Sequence, residues 1–180
     1  MKASTVQLHD KEFTIYLQEE EIRSAIIQLA TRINQEYEDK KPLFLAVLNG
    51  SFMFASDLLK EITIPCEISF IKLASYQDTQ STGTVKELVG LNEDVTDRHV
   101  IILEDIVDTG HTVSMLLEKL QKLATASIEI ACLLLKPACL QHPLQLNYTA
   151  LSIPNDFVVG YGLDYNGLGR NLRHIYKLKS

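Results

Sequence analysis

Tryptophan is absent, and glycine and proline are scarce, at eight and five in 180 residues. Collagen-like and low-complexity chains are thereby excluded. Cysteine is confined to Cys66, Cys132 and Cys139, an odd number with neither CxxC nor zinc-ligand spacing. All three are expected to be small buried hydrophobes in a reducing compartment. No apolar run approaches the ~20 residues that span a bilayer. No basic amphipathic helix marks a membrane surface, and residues 1–10 lack the apolar stretch of a signal peptide. A cytoplasmic protein with no membrane partner is expected. Positive charge is short as well: 17 Lys and Arg stand against 23 Asp and Glu, for a net charge of −6. A nucleic-acid partner is therefore not expected, because such binders need cations to neutralise phosphates. Net charge says little about a single pocket, so one local cationic site remains compatible with this total.

What is present suits one domain over residues 1–180, with 46% hydrophobic residues. Residues 13–17 alternate and predict a short strand. Residues 19–38 predict a helix, with Ile22, Ile26, Leu29 and Ile33 on one side. The run LFLAVL at 43–48 predicts a strand covered on both faces. A turn at Asn49, Gly50 and Ser51 leads to a helix over 52–60, and CEISFIKL at 66–73 predicts another strand. Residues 75–83 have almost no apolar content and predict a loop reaching towards Gly90. A buried strand at 100–103 ends in Glu104 and Asp105, a helix is marked by Val113, Leu116, Leu117 and Leu120, and further strands fall at 128–135 and 157–160. Strands alternating with helices predict an α/β fold with a parallel sheet. Ligands in such sheets bind beyond the carboxyl ends of the strands. That rule gathers Asn49, Ser75, Glu104, Asp105, Asp108, Lys136 and Asp164 into one region.

The strongest local signal is IILEDIVDTGHT at 101–112. A strand delivers two adjacent carboxylates, and a turn follows with Asp108 placed to cap the next helix. Backbone N–H groups at that helix start, the permissive Gly110 and the hydroxyls of Thr109 and Thr112 suit a phosphate. Glu104 and Asp105 suit ribose hydroxyls or a hard cation such as Mg²⁺. An acidic pair after a strand is also a common solvated loop entry, and Asp108 alone would read as a plain N-cap. A P-loop and a GxGxxG dinucleotide motif are both missing.

IILEDIVDTGHT resembles the phosphoribosyl-pyrophosphate (PRPP) signature of the type I phosphoribosyltransferases. Together with LAVLNGSFMFASDLL at 45–59, FIKLASYQDTQSTG at 70–83, LLLKP at 133–137 and FVVGYGLDYNGLGRN at 157–171, the chain is similar to the hypoxanthine (hypoxanthine-guanine) phosphoribosyltransferases from about Phe13 to Arg170. The resemblance implies a central parallel sheet of about five strands flanked by helices. A small hood subdomain is implied from the N-terminal strand near 13–17 and the C-terminal segment near 157–180. It also implies Mg²⁺-dependent transfer of the 5-phosphoribosyl group from PRPP to N9 of hypoxanthine or guanine, giving IMP or GMP and pyrophosphate, and a homodimer or homotetramer.

By matching position, Asp108 is implied as the proton-transfer residue near purine N7. The segment Ile106, Val107, Thr109, Gly110, His111 and Thr112 is implied around the nucleotide phosphate and ribose, with Glu104 and Asp105 at the ribose hydroxyls and at Mg²⁺. Lys136 would donate to the purine O6, which selects against adenine because two donors cannot pair. Phe157 would stack on the base, Val158 would offer backbone groups, and Asp164 would hold a second Mg²⁺. Asn49, Gly50 and Arg170 are implied at pyrophosphate, a guanidinium fork suiting that geometry. Ser75 and Tyr76 match the tip of a lid that would shield the reacting sugar from water. Outside this context Lys136 would read as a snorkelling lysine, Phe157 as core and Arg170 as a solvated charge.

Several positions depart from the family pattern. Asn49-Gly50-Ser51 replaces a usual Lys-Gly-Gly turn, in which the Leu48–Asn49 peptide is implied to be cis. His111 stands where Lys is frequent, and Asp156 precedes Phe157 where Lys is common. Gly167-Leu168-Gly169 replaces a more polar stretch before Arg170. With Asn49 and His111 in these places, PRPP and pyrophosphate binding is expected to lean more heavily on Mg²⁺ and backbone donors. Two alternatives stay open on sequence. One is a nucleotide-sensing regulator of this fold, which should carry a basic surface. The other is a phosphoribosyltransferase for xanthine or a pyrimidine.

Overall fold

Three apolar runs make the centre of the sheet. In the computed structural model, which describes residues 4–74, 86–91 and 93–179, Leu43–Leu48 forms β3, His99–Val107 forms β6 and Ser127–Leu135 forms β7. β3 pairs in parallel with β6, and β6 with β7. Glu67–Ala74 (β4) extends the sheet in parallel on the β3 side, and Tyr148–Ser152 (β8) on the β7 side. Lys86–Val89 (β5) adds an antiparallel edge, giving the order β5-β4-β3-β6-β7-β8. Five parallel strands are thus present, as the resemblance implied.

Alternation along these strands assigns the two faces. Phe44, Ala46, Ile101, Leu103, Ala131 and Leu133 pack with α1 (Glu19–Glu36) and α2 (Phe52–Glu61). Leu43, Leu45, Val100, Ile102, Ile130 and Cys132 pack with Val113, Leu116 and Leu120 of α3 (His111–Leu120). Helices on both faces explain why the strands read as continuous apolar runs. Burying each of the Leu, Ile, Val and Phe side chains among them contributes roughly 1.5–3 kcal/mol. The start of α1 is fixed by the Gln18 N–H, which donates to the Glu21 carboxylate at 2.9 Å.

A second, antiparallel sheet has the order β1-β2-β10-β9, from Thr5–Leu8, Lys11–Leu17, Ile175–Leu178 and Val158–Val159 respectively. Leu8, Phe13, Val159 and Tyr176 form its own small core. The chain ends expected to build the hood therefore pair with each other.

Four expectations need correction. Cys66 is exposed and Cys139 only part-buried, while Cys132 is buried. The cause for Cys66 is its position before β4, whose Ile68 and Phe70 face outward while Ser69 and Ile71 are buried. The loop towards Gly90 contains β5. Glu104 and Asp105 lie inside β6, which runs on to Val107, rather than after it. The N-cap of α3 is Gly110, at φ +81°, not Asp108.

Candidate active site

β6 and β7 set the floor of the site. Continuing β6 past Leu103 brings Glu104, Asp105, Ile106 and Val107 to the carboxyl end of the sheet. Their backbone is held by β7 up to the pair Val107↔Leu135. The Lys136 N–H then donates to the Val107 carbonyl at 2.9 Å, which sets Lys136 opposite Asp108. Their side chains meet, Nζ to Oδ2, at 3.0 Å, with Lys136 only 7% exposed. A lysine this buried needs a partner, and Asp108 supplies it instead of capping α3.

The turn after Asp108 is braced from both sides. Thr109 accepts the Gln141 N–H at 3.0 Å, and its hydroxyl accepts the His111 N–H at 3.3 Å. A Cβ on Gly110 would stand 2.6 Å from Leu144, so the left-handed glycine is needed for space as well as conformation. A hollow of about 100 Å³ results, walled by Val107, Thr109, Gly110, His111 and Thr112 and touching Glu104, Ile106 and Asp108. Amides at a helix start favour an anion there.

A larger cleft of about 410 Å³ shares Glu104, Ile106, Asp108 and Thr112 with this hollow. Asn49 and Gly50 enter it from the β3–α2 turn, through a cis Leu48–Asn49 peptide. Gly50 packs so closely that a Cβ would fall 1.6 Å from Asp105 Oδ2. Lys136 lines the cleft from β7, and Phe157, Val158, Asp164 and Arg170 line it from the C-terminal segment. Phe157 is 45% exposed. Its ring leans on Phe13 and meets the Tyr165 ring edge-on, at 6.0 and 5.8 Å between centroids. It is thus a supported face open to the cleft rather than core. Arg170 bridges to Asp164 at 2.5 Å and donates to the Gly162 carbonyl at 2.7 Å.

The carboxylates are not equivalent. Burial pushes Glu104 well above the usual carboxylate range, helped by the charge of Asp105. Burial also raises Asp105 from 3.8 to about 6, against the lowering effects of the Ile106 N–H and of Arg170. Among the described residues no ion pair includes Glu104 or Asp105.

Every expected site residue within the described chain therefore borders these two adjoining spaces; Ser75 and Tyr76 lie outside the described residues. Sequence reasoning missed Val47, Leu48 and Leu163 as lining of the cleft, and the Gly162 carbonyl that seats Arg170. Leu163 had a signal in its position inside FVVGYGLDYN; the carbonyl had none.

Known proteins resemble this chain over most of its length. The phosphoribosyl transferase domain family matches residues 13–166. A hypoxanthine-guanine phosphoribosyltransferase of Staphylococcus epidermidis is 38% identical over 96% of this chain and 97% of its own. The crystal structure of a hypoxanthine phosphoribosyltransferase from Staphylococcus aureus superposes with a TM-score of 0.87 at 38% identity, over 92% of this chain and 90% of that one. The Trypanosoma cruzi hypoxanthine phosphoribosyl transferase gives 0.87 at 34% identity, over 97% and 95%. No helix among the described residues is long and apolar enough to cross a membrane. With the domain matched over most of its length and relatives of one enzyme type covering nearly all of it, the chain belongs to the hypoxanthine-guanine phosphoribosyltransferase family.

Proposed function

We propose that this protein transfers the 5-phosphoribosyl group from PRPP to N9 of hypoxanthine, and of guanine, releasing pyrophosphate and serving purine salvage. One observation carries the reading: the Lys136–Asp108 pair stands between the amide-lined turn and the exposed face of Phe157. A 6-oxopurine laid on Phe157 presents O6 to a buried ammonium donor and N7 to a carboxylate. The sugar then reaches Glu104 and Asp105, and its 5-phosphate reaches the amides and hydroxyls from Thr109 to Thr112. Val158 offers backbone groups to the base edge. The amides and side chain of Asn49 and Gly50, with Arg170, face pyrophosphate.

The transition state of this chemistry places positive charge on the sugar and negative charge on the leaving group. The chain supplies orientation and electrostatics. Asp108 takes or relays the purine proton, and its bond to Lys136 orients its carboxyl group. Arg170, anchored on the Gly162 carbonyl, lies where charge builds on pyrophosphate.

Mg²⁺ fits the donors. Glu104 and Asp105 are hard oxygen ligands whose crowded negative charge a divalent cation would relieve, and Asp164 is a third oxygen donor on the opposite wall. No cluster of three or more acidic, His or Cys residues is preassembled among the described residues. When bound, Mg²⁺ supplies charge neutralisation of the PRPP oxygens.

We also propose that residues 1–180 act as one catalytic domain, that the lid includes Ser75 and Tyr76, and that the protein works in the cytoplasm as a homodimer or homotetramer. The deciding experiment incubates the protein with PRPP, Mg²⁺ and a panel of bases and follows nucleotide formation. IMP and GMP are the expected products. Product from xanthine or a pyrimidine alone would replace the assignment, and no product with any base would return it to a nucleotide-sensing role.

A further inference from the structure

The segment that carries Asp164 and Arg170 enters the site through Gly160, Tyr161 and Gly162. All three have positive φ, at +97°, +50° and +100°. Glycines adopt this region freely, but a tyrosine does so at a cost, and only where surrounding contacts hold it. Tyr161 is the one side chain in that run. It is 3% exposed, and its hydroxyl donates a short hydrogen bond to Asp57 Oδ2. Asp57 is itself fixed from the other side by Lys60, at 2.7 Å. Burial pushes the Tyr161 hydroxyl far up, and its bond to Asp57 adds to that, so the hydroxyl remains a donor.

Asp57 belongs to α2, the helix that follows the Asn49–Ser51 turn directly. The Ser51 hydroxyl donates to the Val47 carbonyl at 2.6 Å, and the Ala55 N–H to the Ser51 carbonyl at 2.8 Å. The turn is thus rigidly continuous with α2. The two segments also touch at their tips, since a Cβ on Gly162 would fall 2.0 Å from the Gly50 carbonyl oxygen. Next along the chain, the Gly162 N–H donates to the Arg170 carbonyl at 2.9 Å, and its own carbonyl seats the Arg170 guanidinium. Backbone contact sets how near Gly162 lies to Gly50. The Tyr161–Asp57 bond stops one from sliding along the other.

We propose that Tyr161 and Asp57 are positioning residues for pyrophosphate, locking the segment that bears Arg170 to the helix that continues the Asn49–Gly50 turn. Neither side chain is assigned a contact with substrate. The inference rests on the function proposed above, in which Asn49, Gly50 and Arg170 meet pyrophosphate. It predicts a selective defect. The 5-phosphate hollow is built on β6 and α3, Lys136 stands at the end of β7, and the Phe157 ring rests on Phe13 and Tyr165, so none of these contacts runs through the Tyr161–Asp57 bond.

The test compares Tyr161→Phe, Asp57→Leu and Asp57→Asn with the parent. KM for PRPP and for hypoxanthine is measured in the forward direction, KM for pyrophosphate in the reverse, and IMP binding by titration calorimetry. Tyr161→Phe and Asp57→Leu should each raise KM for PRPP and pyrophosphate about tenfold, the size expected for a lost hydrogen bond to a charged group. Hypoxanthine KM and IMP affinity should move less than twofold, since IMP carries no pyrophosphate. Asp57→Asn keeps an acceptor oxygen for Tyr161 and should recover most of the loss.

Equal losses for IMP and pyrophosphate would overturn the inference, because a general structural role does not discriminate. So would unchanged pyrophosphate KM in both Tyr161→Phe and Asp57→Leu, or an Asn variant as poor as the Leu variant. If one variant fails to fold, the other reads the same bond. Failure of the functional proposal looks different: the parent itself would then bind neither IMP nor PRPP.

Discussion

Two pairs of acids line the cleft under opposite conditions. Asp108 and Asp164 each touch a cation, Lys136 at 3.0 Å and Arg170 at 2.5 Å. Glu104 and Asp105, inside β6, are buried with no ion-pair partner among the described residues, and both are pushed towards the protonated form. The first pair is neutralised by the protein itself. The second is left to be neutralised by what binds. An acid already paired is prepared for proton traffic or for orienting a side chain. An acid crowded and unpaired is prepared for a cation or for hydroxyl groups. On the proposed function, the contrast accounts for how a chain of net charge −6 would receive a polyanion, since the acids facing the phosphates would be the ones that recruit positive charge.

The contrast breaks most severely at Gly50. Gly50→Ala drives a methyl into the Asp105 carboxylate and should lower kcat/KM for PRPP by more than about 100-fold, the scale of an ångström-sized misplacement. Steady-state kinetics at saturating hypoxanthine check this, and a near-parental value would mean that the turn moves freely away from β6.

The next effect is on stability in metal-free protein. The folded Asp105 carboxyl titrates near 6, against its ordinary 3.8. Between about pH 4 and 6 the folded state therefore holds more protons than the unfolded state, and this residue's contribution to stability falls as pH rises through that window. With partial solvent access allowed for, the loss should be about 2 kcal/mol. Urea unfolding with EDTA, compared between the parent and Asp105→Asn, isolates it. The parent should lose stability relative to the variant from pH 4 to 6, and a flat difference would remove the crowded-acid account.

Lys136→Ala strips Asp108 of its cation and should raise hypoxanthine KM about tenfold, with PRPP affinity held within about twofold and selectivity against adenine relaxed. An equal fall in PRPP affinity would remove Lys136 from the base site. The smallest change is Asn49→Lys, which adds a cation beside the unpaired acids. The Mg²⁺ concentration for half-maximal PRPP binding should drop about threefold, in the range of a solvent-exposed ion pair. No shift would show that charge at this turn does not trade against the metal.

All four acids were visible in the sequence, but the cations that hold Asp108 and Asp164 were not. Val100–Leu103 and the flanking apolar runs were legible because strands covered on both faces are apolar throughout. Glu104 and Asp105 followed from where such a strand ends, although β6 holds them within its ladder rather than beyond it. The Asp108–Lys136 bond was not legible. It joins residues 28 apart through the parallel register of β6 and β7, and only that register turns Asp108 from its expected cap towards β7. The second sheet was half visible. Residues 13–17 alternate, but Thr5–Leu8 is only a four-residue strand, closed in a hairpin on β2, and Ile175–Leu178 is another whose pairing with β2 is set by a partner far along the chain. Cys66 misled for a related reason: CEISFIKL is rich in apolar residues, yet β4 exposes one of its faces.

Phe157 and Lys136 come from different sheets. The ring stands on Phe13 of the antiparallel sheet, whereas the ammonium extends from the end of β7 in the parallel one. On the proposed function the purine slot is a seam, with one wall supplied by each sheet, while the sugar-phosphate hollow is cut from β6 and α3 alone. Preference among bases can therefore be retuned at Phe13, Phe157 and Val158 on the antiparallel side of the seam, with the sugar-phosphate hollow inherited unchanged and Asp164 and Arg170 kept in place.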